Sequence, residues 1–249
     1  MTVVSAAGGY IINDIIDEAI DRINKPDKQF VGVSFSRKAA YYYYFGGLVL
    51  GFLAATWLAL RTDYGYWLAF YCAANALLYA YSRWLKRLPV VGNVTVAVFT
   101  ACVAWGCFLP LPAANPRFYA QYFPVAVFYT AFAFATNLWR EIVKDLEDMD
   151  GDRVGGCRTL PIVAGVAAAK NATQIVALAT FLGVGYFGFW LLSQHHILAL
   201  VFTLSGIVLP ICGIAFLLHY ANNKTDFAWI SRLLKLLMAS GLVVLFLLL

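Results

Sequence analysis

The chain has 249 residues, of which 62% are hydrophobic and only 12% charged, with a net charge of +5. Soluble domains carry about 25% charged residues, so a soluble globular fold is excluded. No basic stripe lies on a polar face, which excludes nucleic acid as a partner.

The apolar residues fall into repeated blocks of spanning length. They predict an all-α, polytopic transmembrane helical bundle, read as a single membrane domain over residues 1–249. The first block, residues 1–12, is too short to cross the ~30 Å apolar core and reads as a partial helix. Full spans follow at about 40–60, 65–82, 93–110, 119–141, 172–193, 196–219 and 230–249. The segments 13–38, 83–92, 140–170 and 220–235 then share one side and hold sixteen of the 18 basic residues. That bias predicts a cytoplasmic position for this side.

Eleven of the 13 acidic residues lie in two patches on the same side, and topology does not require them there. Asp14, Asp17 and Asp21 are spaced i, i+3, i+7, and so are Asp145, Asp148 and Asp152. On a helix each set forms one stripe. Like charges on a stripe repel unless a cation bridges them. Magnesium prefers oxygen ligands and binds through one or two carboxylates plus substrate phosphates, so the stripes are candidate Mg²⁺–diphosphate ligands. Asn13 adds a neutral oxygen beside the first. Arg22, Lys86, Arg140 and Lys144 are candidates to complete the clamp on phosphate oxygens. Glu18, Glu147 and Asp150 fall off the stripes, and Asp63 and Asp226 read as plain loop charges.

The remaining residues carry no second chemistry. Five cysteines without a Cys-x-x-Cys pair argue against a thiolate metal site or disulfide framework; Cys157, in a polar loop, reads as replaceable. The run 41–44 of four tyrosines reads as an interfacial belt. His195 and His196 read as a turn. Gly8, Gly9, Gly46, Gly47, Gly183, Gly185 and Gly188 read as sites of close helix packing.

The run from Asn13 to Asp21 resembles the first motif of UbiA-type intramembrane prenyltransferases, N-D-x-x-D-x-x-x-D. The run from Arg140 to Arg153 resembles their second, D-x-x-D-x-x-x-D. Tyr81 and Lys86, followed by Gly92 and Asn93, are similar to the family's Tyr/Lys loop, and Thr159-Leu160-Pro161 follows the second motif as it often does there. The resemblance implies a bundle around a central cavity, with nine helices in the family and about eight here. The motif order fits if one family helix and part of the next are absent at the amino end. It further implies transfer of an isoprenoid chain from a prenyl diphosphate to a lipophilic acceptor through an allylic carbocation, with Mg²⁺ as cofactor. Lys86 and Tyr81 take phosphate- or prenyl-orienting roles, and the chain passes between membrane lipid and protein. The run from Arg140 to Asp148 is most similar to the branch that acts on geranylgeranylglyceryl phosphate; aromatic-acceptor branches share much of the pattern. A transporter of cations or organic anions, or an inactive shortened relative, are the rival classes.

Overall fold

The computed structural model describes residues 1–24, 29–108 and 115–248. Lys25, Asp27 and Lys28 of the first charged patch, and the last residues of the span expected at 93–110, lie outside the described residues. Among the described residues there are ten α-helices and, apart from an isolated bridge between Val31 and Phe35, no strand pairing. Eight helices match the expected spans and opening partial helix in order, and two are short.

Two compact units divide the chain. The first comprises Met1–Gly92 and Met149–Thr159, the second Asn93–Asp148 and Leu160–Leu249.

In the first unit, α1 (Thr2–Ile16) packs against α3 (Arg37–Thr62) and α4 (Tyr66–Arg83). The short α2 (Glu18–Asn24) follows α1 after a bend at Asp17. Ser36 caps α3 by accepting from the Ala39 N–H at 3.2 Å, and Asp63 ends it in a left-handed conformation, φ 57°. Packing between these helices is both apolar and polar. Tyr44 is buried, while Tyr42 and Tyr43 stay exposed, so the tyrosine run divides between core and surface. The Tyr71 hydroxyl reaches across to donate to the Leu48 carbonyl at 2.7 Å, and Asn75 donates to Ser5 at 3.0 Å. A 3₁₀ turn, Leu85–Arg87, closes α4.

In the second unit, α5 (Val91–Gly106) leads into α6 (Pro116–Val154), a 39-residue helix that contributes its last turns to the first unit. The second acidic segment, placed in a loop region by the apolar pattern, is thus helical throughout. Its i, i+4 and i, i+3 Lys–acid pairs sustain the helix beyond the apolar stretch. A short α7 (Leu160–Ala164) precedes three long apolar helices, α8 (Val166–Ser193), α9 (Ile197–Tyr220) and α10 (Lys224–Leu248). His195 turns the chain between α8 and α9 with φ 59°. A π-helical segment, Leu204–Val208, interrupts α9 just before Pro210. Proline clashes with the carbonyl four residues back, and widening the turn relieves that clash. Lys170 donates to the His219 and Ala221 carbonyls at 2.7 and 2.9 Å, satisfying the end of α9. Asp226 is a cap rather than a free loop charge, since it accepts from the Asn222 and Asn223 amides.

The helices Arg37–Thr62, Val166–Ser193, Ile197–Tyr220 and Lys224–Leu248 are each long and apolar enough to cross a bilayer. Large apolar side chains such as Leu53, Phe189, Leu236 and Phe246 point outward from them. Of the glycines expected at packing contacts, Gly8, Gly9, Gly47 and Gly188 do stand against neighbouring side chains. Gly46, Gly183 and Gly185 face open space, where helical spacing carries them off the packed side.

Candidate active site

The first acidic segment is organised by one lysine. Lys86 Nζ lies 2.5 Å from Asp17 Oδ1 and donates to Asn13 Oδ1 at 2.8 Å. Asn13 in turn donates through Nδ2 to Asp17 Oδ2 at 2.8 Å. Asp17 is only 9% exposed, a position no carboxylate holds without a partner. Burial pushes the Lys86 ammonium below the usual lysine range, with the Asp17 carboxylate opposing that fall. The 3₁₀ turn positions the lysine, and Gly92 lets α5 begin directly behind it. A Cβ on Gly92 would sit 2.7 Å from the Lys86 Cα, so only glycine fits this approach.

Along α6, Lys144 Nζ stands 2.9 Å from Glu147 Oε1 and 2.8 Å from Asp148 Oδ2. Arg140 pairs with Glu141 at 2.5 Å. Asn93, buried near the start of α5, donates to Asp145 Oδ2 at 2.9 Å. Thus Glu147, which falls off the expected stripe, shares a cation with the stripe residue Asp148.

The end of the second segment belongs to the same unit as the first segment. Asn24, 8% exposed, accepts from the Gly151 N–H at 3.0 Å. A Cβ on Gly151 would meet the Asn24 amide at 2.4 to 2.5 Å, and one on Gly155 would meet Ile20 at 2.5 Å. The two glycines, one helical turn apart, let α2 close onto the end of α6. Asp21 and Asp152 sit on these two docked stretches. Just beyond, the Arg158 N–H donates to the Arg87 carbonyl at 2.8 Å, tying the chain after the second motif to the Lys86 turn. Cys157 lies here, 6% exposed. Burial, and then the Asp152 carboxylate, push its thiol up, while Arg87 and Lys86 oppose. The expectation of a replaceable loop cysteine is therefore corrected: the docked helix end buries it beside the charged groups.

Asp14 lines a cavity with Ile11 and Ala40. Adjacent helix positions point about 100° apart, which separates it from Asn13. Arg22 is on the outer side of α2, with a 65% exposed side chain paired to Glu18 at 3.1 Å. Tyr81 occupies the last turn of α4.

Among the described residues, no three His, Cys, Asp or Glu side chains form a ready-made metal cage. Magnesium does not need one, since water and substrate phosphates complete its shell. The donor chemistry fits the ion. Asn13 with Asp17, and Glu147 with Asp148, each hold one ammonium between two oxygens, and the ammonium stands in for a hard cation there.

Asn24, Gly151 and Gly155 took no part in the reading of the sequence, and Gly92 and Asn93 entered it only as part of the Tyr/Lys loop. The signal for Asn24 was present, three residues after Asp21 on the same helical face. The glycines carry no chemical signature of their own.

A sequence model of the UbiA prenyltransferase family matches residues 1–241. The digeranylgeranylglyceryl phosphate synthase of Pyrococcus furiosus is 36% identical over 181 residues, covering 72% of this chain and 58% of the relative. Its counterpart from Haloquadratum walsbyi is 38% identical over 200 residues, covering 77% and 65%. The chain thus spans about three fifths of the length of the curated relatives it matches. The solved apo structure of a UbiA homolog from Aeropyrum pernix K1 superposes with a TM-score of 0.70 at 18% identity, covering 97% of this chain and 86% of that one. A solved structure concerned with digeranylgeranylglyceryl phosphate synthase in membranes superposes at 0.63 with 22% identity, covering 97% and 80%. These two likenesses show the fold. The four long apolar helices and the matched family make this an integral, multi-pass membrane protein. Sharing the motifs, the fold and the family's sequence pattern from residue 1 to 241, the chain belongs to the UbiA prenyltransferase family.

Proposed function

We propose that this protein transfers a prenyl chain from a prenyl diphosphate to a lipophilic acceptor bearing a glyceryl phosphate-like head, with Mg²⁺ as cofactor. The observation that carries the reading is the Asn24–Gly151 hydrogen bond, which joins the first acidic helix to the end of the second. Family membership and the glyceryl phosphate relatives support the substrate classes.

In this reading Asn13 and Asp17 of the first unit would hold Mg²⁺, Glu147 and Asp148 of the second unit would do so in their own right, and Asp14, Asp21, Asp145 and Asp152 complete the acidic set. Bound there with the substrate, Mg²⁺ supplies neutralisation of the charge that develops on the departing diphosphate. Lys86, released from Asp17, would donate to a phosphate oxygen in the first unit, and Arg140 and Lys144 are the corresponding phosphate donors of the second. Tyr81 orients the allylic end. Asn93 keeps Asp145 oriented by its hydrogen bond. The allylic carbon becomes cationic as its C–O bond breaks and diphosphate departs, and the acceptor hydroxyl oxygen attacks it, its proton passing to the departing diphosphate. Holding both substrates in one orientation contributes much of the rate. The excess of basic residues around the helix ends supports a cytoplasmic position for this chemistry.

The test is to incubate the protein, purified in detergent, with geranylgeranyl diphosphate, Mg²⁺, and geranylgeranylglyceryl phosphate or aromatic acceptors, and to identify the lipid product by mass spectrometry. The expected product is a doubly prenylated glyceryl phosphate. Products from aromatic acceptors alone, or none at all, would overturn this reading.

A further inference from the structure

Arg87 follows Lys86 on the 3₁₀ turn that closes α4. Such a turn has about three residues per revolution, so neighbouring side chains leave it about 120° apart. Lys86 goes to Asn13 and Asp17. Arg87 stands by the stretch that follows the second motif. Its carbonyl accepts from the Arg158 N–H at 2.8 Å, and its charge acts on the Cys157 thiol.

The Arg87 side chain is half-buried, and its Nε is buried without a hydrogen-bond partner. Among the described residues no carboxylate forms an ion pair with it. A guanidinium keeps its proton, so it does not escape the cost of burial by becoming neutral, as a lysine can. A buried charge without a counter-charge is destabilising. Two hydroxyls flanking the turn are also unmatched. Ser82, in the last turn of α4, is 1% exposed, and Thr159, next to Arg158, is 4% exposed. Neither hydroxyl has a hydrogen-bond partner. All three residues belong to the first unit.

A permanent cation flanked by two hydroxyls selects an anion rich in oxygen. Arginine forks onto two phosphate oxygens at once, and a hydroxyl donates to another. The leaving diphosphate already has Lys86 in this unit. A phosphorylated acceptor brings a second phosphate to the reaction, and an aromatic acceptor brings none.

We propose that Arg87, with the Ser82 and Thr159 hydroxyls, binds the phosphate of the acceptor's head and so selects a phosphorylated acceptor over an aromatic one. The assignment rests on the prenyl-transfer reading above for the identity of its ligand, and it leaves the diphosphate to Lys86 and Mg²⁺.

Two measurements on the full chain in detergent test it. The first is binding without transfer, read as a thermal shift in the absence of prenyl diphosphate. Geranylgeranylglyceryl phosphate should raise the wild-type melting temperature, and geranylgeranylglycerol, which lacks the phosphate, should raise it less. That difference should vanish in Arg87→Gln. An equal shift from dioleoyl phosphatidic acid would make this a general lipid-phosphate site and overturn the assignment. Without ligand, Arg87→Gln should melt no lower than the wild type, because it removes an unpaired charge; a lower melting temperature would mean that the guanidinium supports the fold instead. The second measurement is kinetic. Arg87→Gln should raise the KM for geranylgeranylglyceryl phosphate by about tenfold or more, the scale of a charged hydrogen bond. Thr159→Val, which removes only the hydroxyl, should raise it less, and Arg87→Lys should recover part of the loss. The prenyl diphosphate KM should stay unchanged in all three. Arg83→Gln, which removes an exposed charge from the end of α4, serves as the control. A raised prenyl diphosphate KM in Arg87→Gln with the acceptor KM unmoved would assign Arg87 to the donor and refute the proposal. A phosphate-dependent thermal shift in a protein that transfers to no acceptor would refute the transfer reading while upholding the binding site.

Discussion

Asn24 Oδ1 accepts a hydrogen bond from the Gly151 N–H at 3.0 Å across 127 residues of sequence. One partner ends the helix of the first acidic motif, and the other lies within the second motif. The contact is both a hydrogen bond and a steric fit, because Gly151 leaves no room for a Cβ against the Asn24 amide. Asn24→Ala should lower stability by about 1 kcal/mol and raise the Mg²⁺ concentration needed for half-maximal diphosphate release. In Gly151→Ala the Asn24 side chain must swing aside, losing the same bond. The double variant should therefore be no less stable than the worse single one. Thermal unfolding in detergent, with Mg²⁺ titration of activity, reads both effects.

Lys86 and Mg²⁺ compete in this account for the same two oxygens. Lys86→Met leaves the buried Asp17 carboxylate without its ammonium and should cost about 3 kcal/mol or more in metal-free buffer. Millimolar Mg²⁺ should recover stability more in Lys86→Met than in the wild type, because the ion replaces the lost charge. Equal Mg²⁺ effects on the two melting temperatures would contradict the shared site.

Asp17→Ala and Asp148→Ala each remove one oxygen of a cation grip. Each should cut Mg²⁺-dependent release of diphosphate from a prenyl diphosphate by at least about a hundredfold, the scale of losing one strong electrostatic contact. Membrane insertion should be unchanged, since the apolar spans are untouched. Full activity in both variants would refute the metal assignment.

Gly92→Ala creates a contact that no rotamer change relieves, because the atom it meets is the Lys86 Cα. The 3₁₀ turn must move, and Lys86 with it. The expected result is a raised KM for prenyl diphosphate with helix content intact by circular dichroism. Gly46→Ala, which meets nothing within 4 Å, serves as the control and should behave as wild type.

Cys157 supplies a pH test. Its thiol is raised by burial first and by Asp152 second, so at any pH near neutral it holds less thiolate than an ordinary cysteine. The thiolate is the reactive form. In single-cysteine variants, maleimide should label exposed Cys107 well before Cys157. The Cys157 rate should begin to climb only at a pH above the ordinary thiol range. Rapid labelling of Cys157 at pH 7 would show that the end of α6 does not stay docked.

Much of the candidate site was legible in the residues. The motif spacings named Asn13, Asp17, Lys86, Lys144 and Asp148, and the structure gathers these into two cation grips. Repulsion between like charges on one face is a local matter, so spacing alone exposes it. The pairing of Lys86 with the first acidic segment, 69 residues away from Asp17, was not legible, because spacing says nothing about which distant turn folds back. Arg22 and Asp14 show the limit from the other direction. Both are near the right residues in sequence, but a 100° step around the helix sends one to Glu18 on the outer side and the other to the cavity.

By itself the sequence determined that this chain is a membrane helix bundle with two acidic segments at helix ends, because hydropathy and helical spacing are properties of neighbouring residues. The tertiary structure decided which oxygens share a cation, that α6 carries the second segment without a break, and that α2 seats on Gly151 and Gly155. Those outcomes depend on contacts between residues far apart in the chain, where a missing Cβ or a single buried amide determines how closely two helices approach.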